Sequence, residues 1–277
     1  MKQVSDELIE MHGLRFHYRD WPATQSDAPV LVLLHGFTGH ARSWDWFAQA
    51  MSKRYRVLAL DQRGHGETQW APHDSYNTDQ MSQDLSAFIA ALDLKKFALL
   101  GLSMGGSVSI RYAGEQPQAL SQLVIVDIGP EIIASGLSRI QSGVQMADVF
   151  ATRELAFEAA RRGNARAPDE HLRHRVWNSL MQTADGHWTY RYDRALRDPS
   201  KPRGRMSAEQ GWHSLANIKV PTLIVRGAES DILSVEIAQR MTRELPGAKL
   251  VEIAEAGHSV PLDQPEKFLE ALSSFLR

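Results

Sequence analysis

A lone serine stands among glycines in Gly101-Leu102-Ser103-Met104-Gly105, directly after the apolar run 97–100 and before a stretch of helical pattern. A serine hydroxyl is a poor nucleophile until a base removes its proton. A sharp turn from strand into helix would project the Ser103 hydroxyl above a sheet edge and aim the electropositive helix N-terminus at the same point. Such a turn leaves no room for side chains two residues to either side, which accounts for Gly101 and Gly105. The matching base is expected late in the chain, on a loop after the last strand. His258 stands there, preceded by Gly257 and the strand-like run 248–257, and followed by a terminal helical stretch. Of the other histidines, His35 and His65 read as residues that shape loops after buried strands, while His171, His174, His187 and His213 read as solvent-facing.

These groups need a scaffold, and the hydrophobic pattern supplies one. Residues 8–21 read as two strands joined near His12-Gly13. Apolar runs at 29–36, 55–61, 96–101, 122–127, 221–227 and 248–257 read as strands, mostly buried on both faces. Between them, 43–51, 78–92, 104–115, 235–245 and 265–276 are amphipathic, with Ser43 and Thr78 as N-cap candidates. The alternation predicts an α/β fold: a mostly parallel eight-stranded sheet flanked by helices. Residues 130–211 break the rhythm and read as a helical insertion dividing a core made of 1–129 and 212–277.

Composition narrows the chemistry. The chain has 277 residues, a net charge of −2 and no cysteine. Thiolate catalysis, disulfides and Cys-bound zinc are excluded. The charge offers no field for a nucleic acid or membrane surface. No apolar h-region opens the sequence and no stretch reaches the length of a membrane span, so a cytoplasmic protein is expected.

Four segments in order, "LLHGFTG", "DQRGHGET", "GLSMGG" and "GHSVPLDQPEKF", resemble the α/β-hydrolase superfamily over nearly the whole chain, with 130–211 as its lid. The resemblance implies a serine esterase-like enzyme that acts on a small molecule and needs no metal or organic cofactor. It implies an oxyanion hole from the backbone amides of Phe37 and Met104. It also implies an acid behind His258, for which there are two candidates. Most of the superfamily carries Gly-x-x-Asp after the penultimate strand; counted from Gly227, that slot holds Ser230, with Asp231 one residue beyond. One branch instead carries Asp-x-x-Pro ahead of the lid, which Asp127-Ile128-Gly129-Pro130 matches. Asp127 is preferred and Asp231 is the alternative; a slip of one residue reverses side-chain direction, so register decides.

Specificity is less legible. Arg139, Arg153, Arg161, Arg162 and Arg166 could bind a carboxylate or form a solvated helix face. Trp177, Trp188 and Trp212 could line a pocket or pack the lid. The mild positive charge of the insertion leans towards a small anionic or polar acyl substrate. A carbon–carbon bond hydrolase is disfavoured because Ser259, not tryptophan, follows His258. Acyl transfer to other acceptors, perhydrolysis, a non-catalytic small-molecule receptor and homo-oligomerisation all remain open.

Overall fold

The computed structural model describes residues 3–144, 148–198 and 204–276. In chain order, β1 (Ser5–Met11) and β2 (Leu14–Trp21) form a hairpin, followed by β3 (Val30–Leu34), α1 (Asp45–Met51), β4 (Arg56–Leu60), α2 (Thr78–Ala91), β5 (Phe97–Leu102), α3 (Met104–Ala113) and β6 (Leu120–Val126). The hairpin turns at His12 and Gly13, with φ of 49° and 71°, the left-handed pair that a two-residue turn requires. Next come α4 (Ala134–Val144), β7 (Val149–Phe150), α5 (Arg153–Gly163), α6 (Asp169–Asn178), β8 (Leu180–Gln182), β9 (Trp188–Tyr190) and α7 (Ala208–Asn217). The chain closes with β10 (Thr222–Gly227), α8 (Val235–Glu244), β11 (Lys249–Ile253), α9 (Val260–Asp263) and α10 (Pro265–Phe275).

Eight strands make one sheet in the order β1-β2-β4-β3-β5-β6-β10-β11. Only the β1–β2 and β2–β4 pairs are antiparallel. Successive residues of a strand face opposite sides, so Leu31 and Leu33 enter the core under α1 and α10, while Val32 and Leu34 enter the core under α2, α3 and α8. Two apolar layers therefore clamp the middle strands, and the parallel strands β3, β5, β6 and β10 deliver their C-terminal ends to one edge.

Two local expectations are corrected. Thr78 opens α2 but does not cap it; the side chain of Asn77 accepts from the Gln80 amide, and asparagine is the stronger cap. Ser43 lies inside a 3-10 turn, Ala41–Trp44, that precedes α1. The segment expected as a helical insertion, 130–211, also holds a three-stranded sheet, β7-β9-β8. Its strands are only two or three residues long, too short for alternation to register. Phe150, Ala156, Leu172, Val176 and Leu180 form a separate small core there.

Candidate active site

The turn at the end of β5 places Ser103 at φ 53° and ψ −114°, outside the regions an ordinary residue occupies without strain. The turn is locked from both sides. The Ser103 amide donates to the Val126 carbonyl at 2.9 Å. A β-carbon on Gly101 would lie 2.3 Å from the Gly105 carbonyl oxygen, and one on Gly105 would lie 2.5 Å from that of Leu34. Glycine at both positions is therefore a steric requirement of the bend. On the other side, Gly36 packs so closely that a β-carbon there would sit 3.3 Å from Ser103 Cβ. This brings the loop that carries Phe37 against the serine.

His258 arrives on the loop between β11 and α9. That loop is pinned because the Gly257 amide donates to Asp263 Oδ2 at 2.9 Å. His258 Nε2 lies 2.8 Å from Ser103 Oγ, and Nδ1 lies 2.8 Å from Asp127 Oδ2. A carboxylate only accepts, so Nδ1 carries the hydrogen and donates to Asp127, leaving Nε2 to accept from the serine hydroxyl. Asp127 is fully buried and follows β6 with φ 51°. Its Oδ1 accepts from the Gly227 amide at 2.9 Å, and its Oδ2 also accepts from Ser230 Oγ at 2.5 Å. The Ser230 hydroxyl in turn accepts from the amides of Ile232 and Leu233, both at 3.1 Å.

Register separates the two acid candidates. Ser230, in the slot where an aspartate was the alternative, turns inward and braces Asp127. Asp231, one residue on, turns outward and pairs with Arg139 at 2.5 Å. The Arg139 hydrogen bond holds the Asp231 carboxyl below the usual carboxylate range despite partial burial. The structure thus joins Ser103, His258 and Asp127 and leaves Asp231 outside that chain of hydrogen bonds.

The sequence profile of the alpha/beta hydrolase family matches residues 31–271. The chain belongs to the alpha/beta hydrolase family. It is 29% identical to a 3-hydroxybutyrate-oligomer hydrolase of Cupriavidus necator, over 97% of this chain and 96% of that protein. It is 26% identical to an esterase of Mycobacterium tuberculosis, over 90% of this chain and 83% of the other. Its fold superimposes on that of an E-2-(acetamidomethylene)succinate hydrolase with a TM-score of 0.88 at 21% identity, covering 99% of both chains.

Two spaces that share Ser103, Phe37 and Ile140 in their walls flank the serine in this alpha/beta hydrolase. The larger, about 320 Å³, is bounded by His258, Leu172, Arg175, Tyr190 and Tyr192 as well as Ser103. The smaller, about 80 Å³, is mainly apolar, walled by Met81, Met104, Ile128, Ile132, Leu137 and Met206, with Asn77, Thr78 and Arg205 at its border. Phe37 borders both. Helices α4, α5 and α6 therefore face the serine across the larger space.

Most of the polar candidates in 130–211 are engaged elsewhere. Arg153 lies over the Trp188 ring at 3.9 Å, Arg161 donates to the Ala167 carbonyl at 2.7 Å, and Arg166 bonds Glu229 at 2.8 Å. Arg162 is exposed. Trp212 bonds Glu131 beneath the Arg240 guanidinium, Trp177 is largely at the surface, and none of the three tryptophans borders either space. His35 is a buried loop brace, contacting the Gly36 carbonyl through Nδ1 and accepting the Gln62 amide at Nε2; His65 contacts the Arg63 carbonyl. His174 bonds Asp45 at 3.0 Å, His171 packs edge-on against Trp46, and His187 and His213 are exposed.

Sequence reasoning missed Arg175. A signal for it existed: Leu172, Arg175, Val176 and Ser179 fall on one helical face, and the other three are buried. An arginine among apolar residues on the inward face of a helix is the anomaly to look for. Among the described residues, no His, Asp and Glu cluster could hold a metal ion, and no helix is long and apolar enough to cross a membrane.

Proposed function

We propose that this protein hydrolyses carboxylic esters of small molecules through an acyl-enzyme on Ser103, with His258 as base and Asp127 as its orienting acid. Ser103 Oγ attacks the ester carbonyl carbon and passes its proton to His258 Nε2. The imidazolium is stabilised by Asp127. The carbonyl oxygen, now an anion, is held by the backbone amides of Phe37 and Met104; loss of one such donor typically costs about 3–4 kcal/mol of transition-state stabilisation. The carbon–oxygen bond to the alcohol breaks, and the departing oxygen takes the proton back from Nε2. Water, deprotonated by the same nitrogen, then attacks the acyl carbon and releases the acid, restoring the serine hydroxyl.

The observation that carries this reading is the unbroken relay Ser103 Oγ, His258 Nε2, His258 Nδ1, Asp127 Oδ2, with both bonds at 2.8 Å. The relatives support hydrolysis in general, since they include an oligomer hydrolase and an esterase. In this reading residues 130–211 act as a lid that walls the substrate space. The departing oxygen must lie within reach of Nε2, so the alcohol occupies the larger space beside His258. The acyl chain then enters the smaller, mainly apolar space, which has about a quarter of the volume of the larger one. Short acyl groups are favoured accordingly. A series of p-nitrophenyl esters from acetyl to decanoyl tests this. Activity should peak at the short chains and disappear in Ser103→Ala. A flat response across the series, or activity surviving in Ser103→Ala, would rule it out.

A further inference from the structure

We propose that the alcohol released by this enzyme carries a carboxylate, held by Arg175 and Tyr190, so that the preferred substrates are esters of short hydroxy acids with a free acid end. This rests on the serine hydrolase reading above and names the substrate class of the same site.

Arg175 sits on the inward face of α6 and borders the larger space together with His258 and Ser103. Among the described residues, no carboxylate lies within ion-pair reach of its guanidinium, and its side chain makes no hydrogen bond to the protein. Asp263 influences it from a distance, but both Asp263 oxygens are taken, one by Asn164 at 2.6 Å and one by the Gly257 amide at 2.9 Å. Burial pushes the guanidinium below its ordinary basicity, although an arginine stays charged at neutral pH. Tyr190 borders the same space and is electrostatically coupled to Arg175. Its ring is fixed by stacking on Tyr192 at 5.5 Å, and its hydroxyl has no partner among the described protein groups. A desolvated, unpaired cation is costly to a folded protein, and a planar fork beside a phenol is the natural complement of a carboxylate.

The side of the ester on which the carboxylate lies follows from position. Arg175 shares its space with His258, which serves the departing alcohol. Among the described residues, the one cation bordering the acyl space is Arg205, and that residue is exposed. Arg139, at the rim of the larger space, is already paired with Asp231. The carboxylate therefore belongs to the alcohol half, beyond the bond that is cut.

The test uses three esters of matched size with the full chain. The first is 3-(butanoyloxy)butanoic acid, with the carboxylate on the alcohol half. The second is its methyl ester, and the third is sec-butyl hydrogen succinate, with the carboxylate on the acyl half. Wild type should favour the first over the other two by roughly 10- to 100-fold in kcat/KM, the range of a charge-assisted hydrogen-bonded pair. In Arg175→Met the ratio of the first to the second should fall to within about threefold, and Arg175→Lys should retain part of the preference. Arg175→Met should also melt no lower than wild type, because it removes an unpaired charge from a half-buried position. A merely structural arginine would instead lower the melting point and depress all three substrates together, which overturns the proposal. A wild-type preference for the third ester, or equal rates on the first and second, also overturns it. So does a lack of turnover on all three while Ser103 still reacts with a fluorophosphonate. Those results leave the serine hydrolase reading standing; an unreactive Ser103 removes both.

Discussion

Replacing Asp127 by asparagine isolates the acid of the relay with almost no change in shape. The carboxylate accepts on both oxygens: Gly227 N–H at Oδ1, and His258 and Ser230 at Oδ2. An asparagine has only one accepting oxygen. If its amide nitrogen faces His258, Nδ1 must give up its hydrogen, the other tautomer forms, and Nε2–H points at Ser103 with no capacity to accept its proton. If the amide turns over, its NH2 meets the Gly227 N–H, two donors face to face in a site with no solvent exposure. The clash disfavours the second arrangement, and the first removes the base. Loss of such an acid costs ~10⁴-fold in kcat, or about 5 kcal/mol of transition-state stabilisation. The control is Asp231→Asn, which breaks only the Arg139 pair, half-exposed on both sides and worth about 0–1 kcal/mol. It should change kcat by less than about threefold. Steady-state hydrolysis of p-nitrophenyl acetate by both variants, with melting curves to verify folding, measures the contrast. Equal losses in the two variants, or small losses in both, would refute the assignment of Asp127.

Other perturbations follow from the same contacts. Ser230→Ala removes the hydroxyl that braces Asp127 and strands the Ile232 and Leu233 amides. It should lower stability by about 1–3 kcal/mol in urea titration and lower kcat less than Asp127→Asn does. His40 is buried against α6, where its Nε2 donates to the Arg175 carbonyl at 3.0 Å, and burial pushes its imidazole down to about 4. The unfolded chain binds this proton near pH 6.5 and the folded chain does not until about 4, so His40 makes stability fall as pH drops through that window. The upper bound is about 3 kcal/mol. Urea midpoints of wild type and His40→Gln, measured between pH 7 and pH 4, should show a shallower acid loss in the variant; parallel curves would contradict this.

The core of this fold was legible because its strands are long enough and buried on both faces, so continuous apolar runs mark β3, β5, β6 and β10 directly. Ser103 and His258 were legible because bends with steric demands surround them with glycine. The acid was harder: Asp127 and Asp231 both end strands or follow them, and only the inward turn of Ser230 separates them. The residues around the substrate space were least legible. Eleven other arginines in 130–211 carry the same letter as Arg175; its spacing with Leu172 and Val176 marks an inward helical face, but only the tertiary packing of α6 shows that it stands there without a partner among the described residues. The β7-β9-β8 sheet escaped notice because two or three residues cannot display a period.

The claim that everything else depends on is that His258 activates the hydroxyl of Ser103. Intact-mass spectrometry after brief exposure to a fluorophosphonate reads it directly. One phosphonyl adduct should form on wild type, none on Ser103→Ala, and adduct formation should slow by orders of magnitude in His258→Ala. An unmodified wild-type protein, or an adduct that survives the Ser103→Ala replacement, would contradict the account.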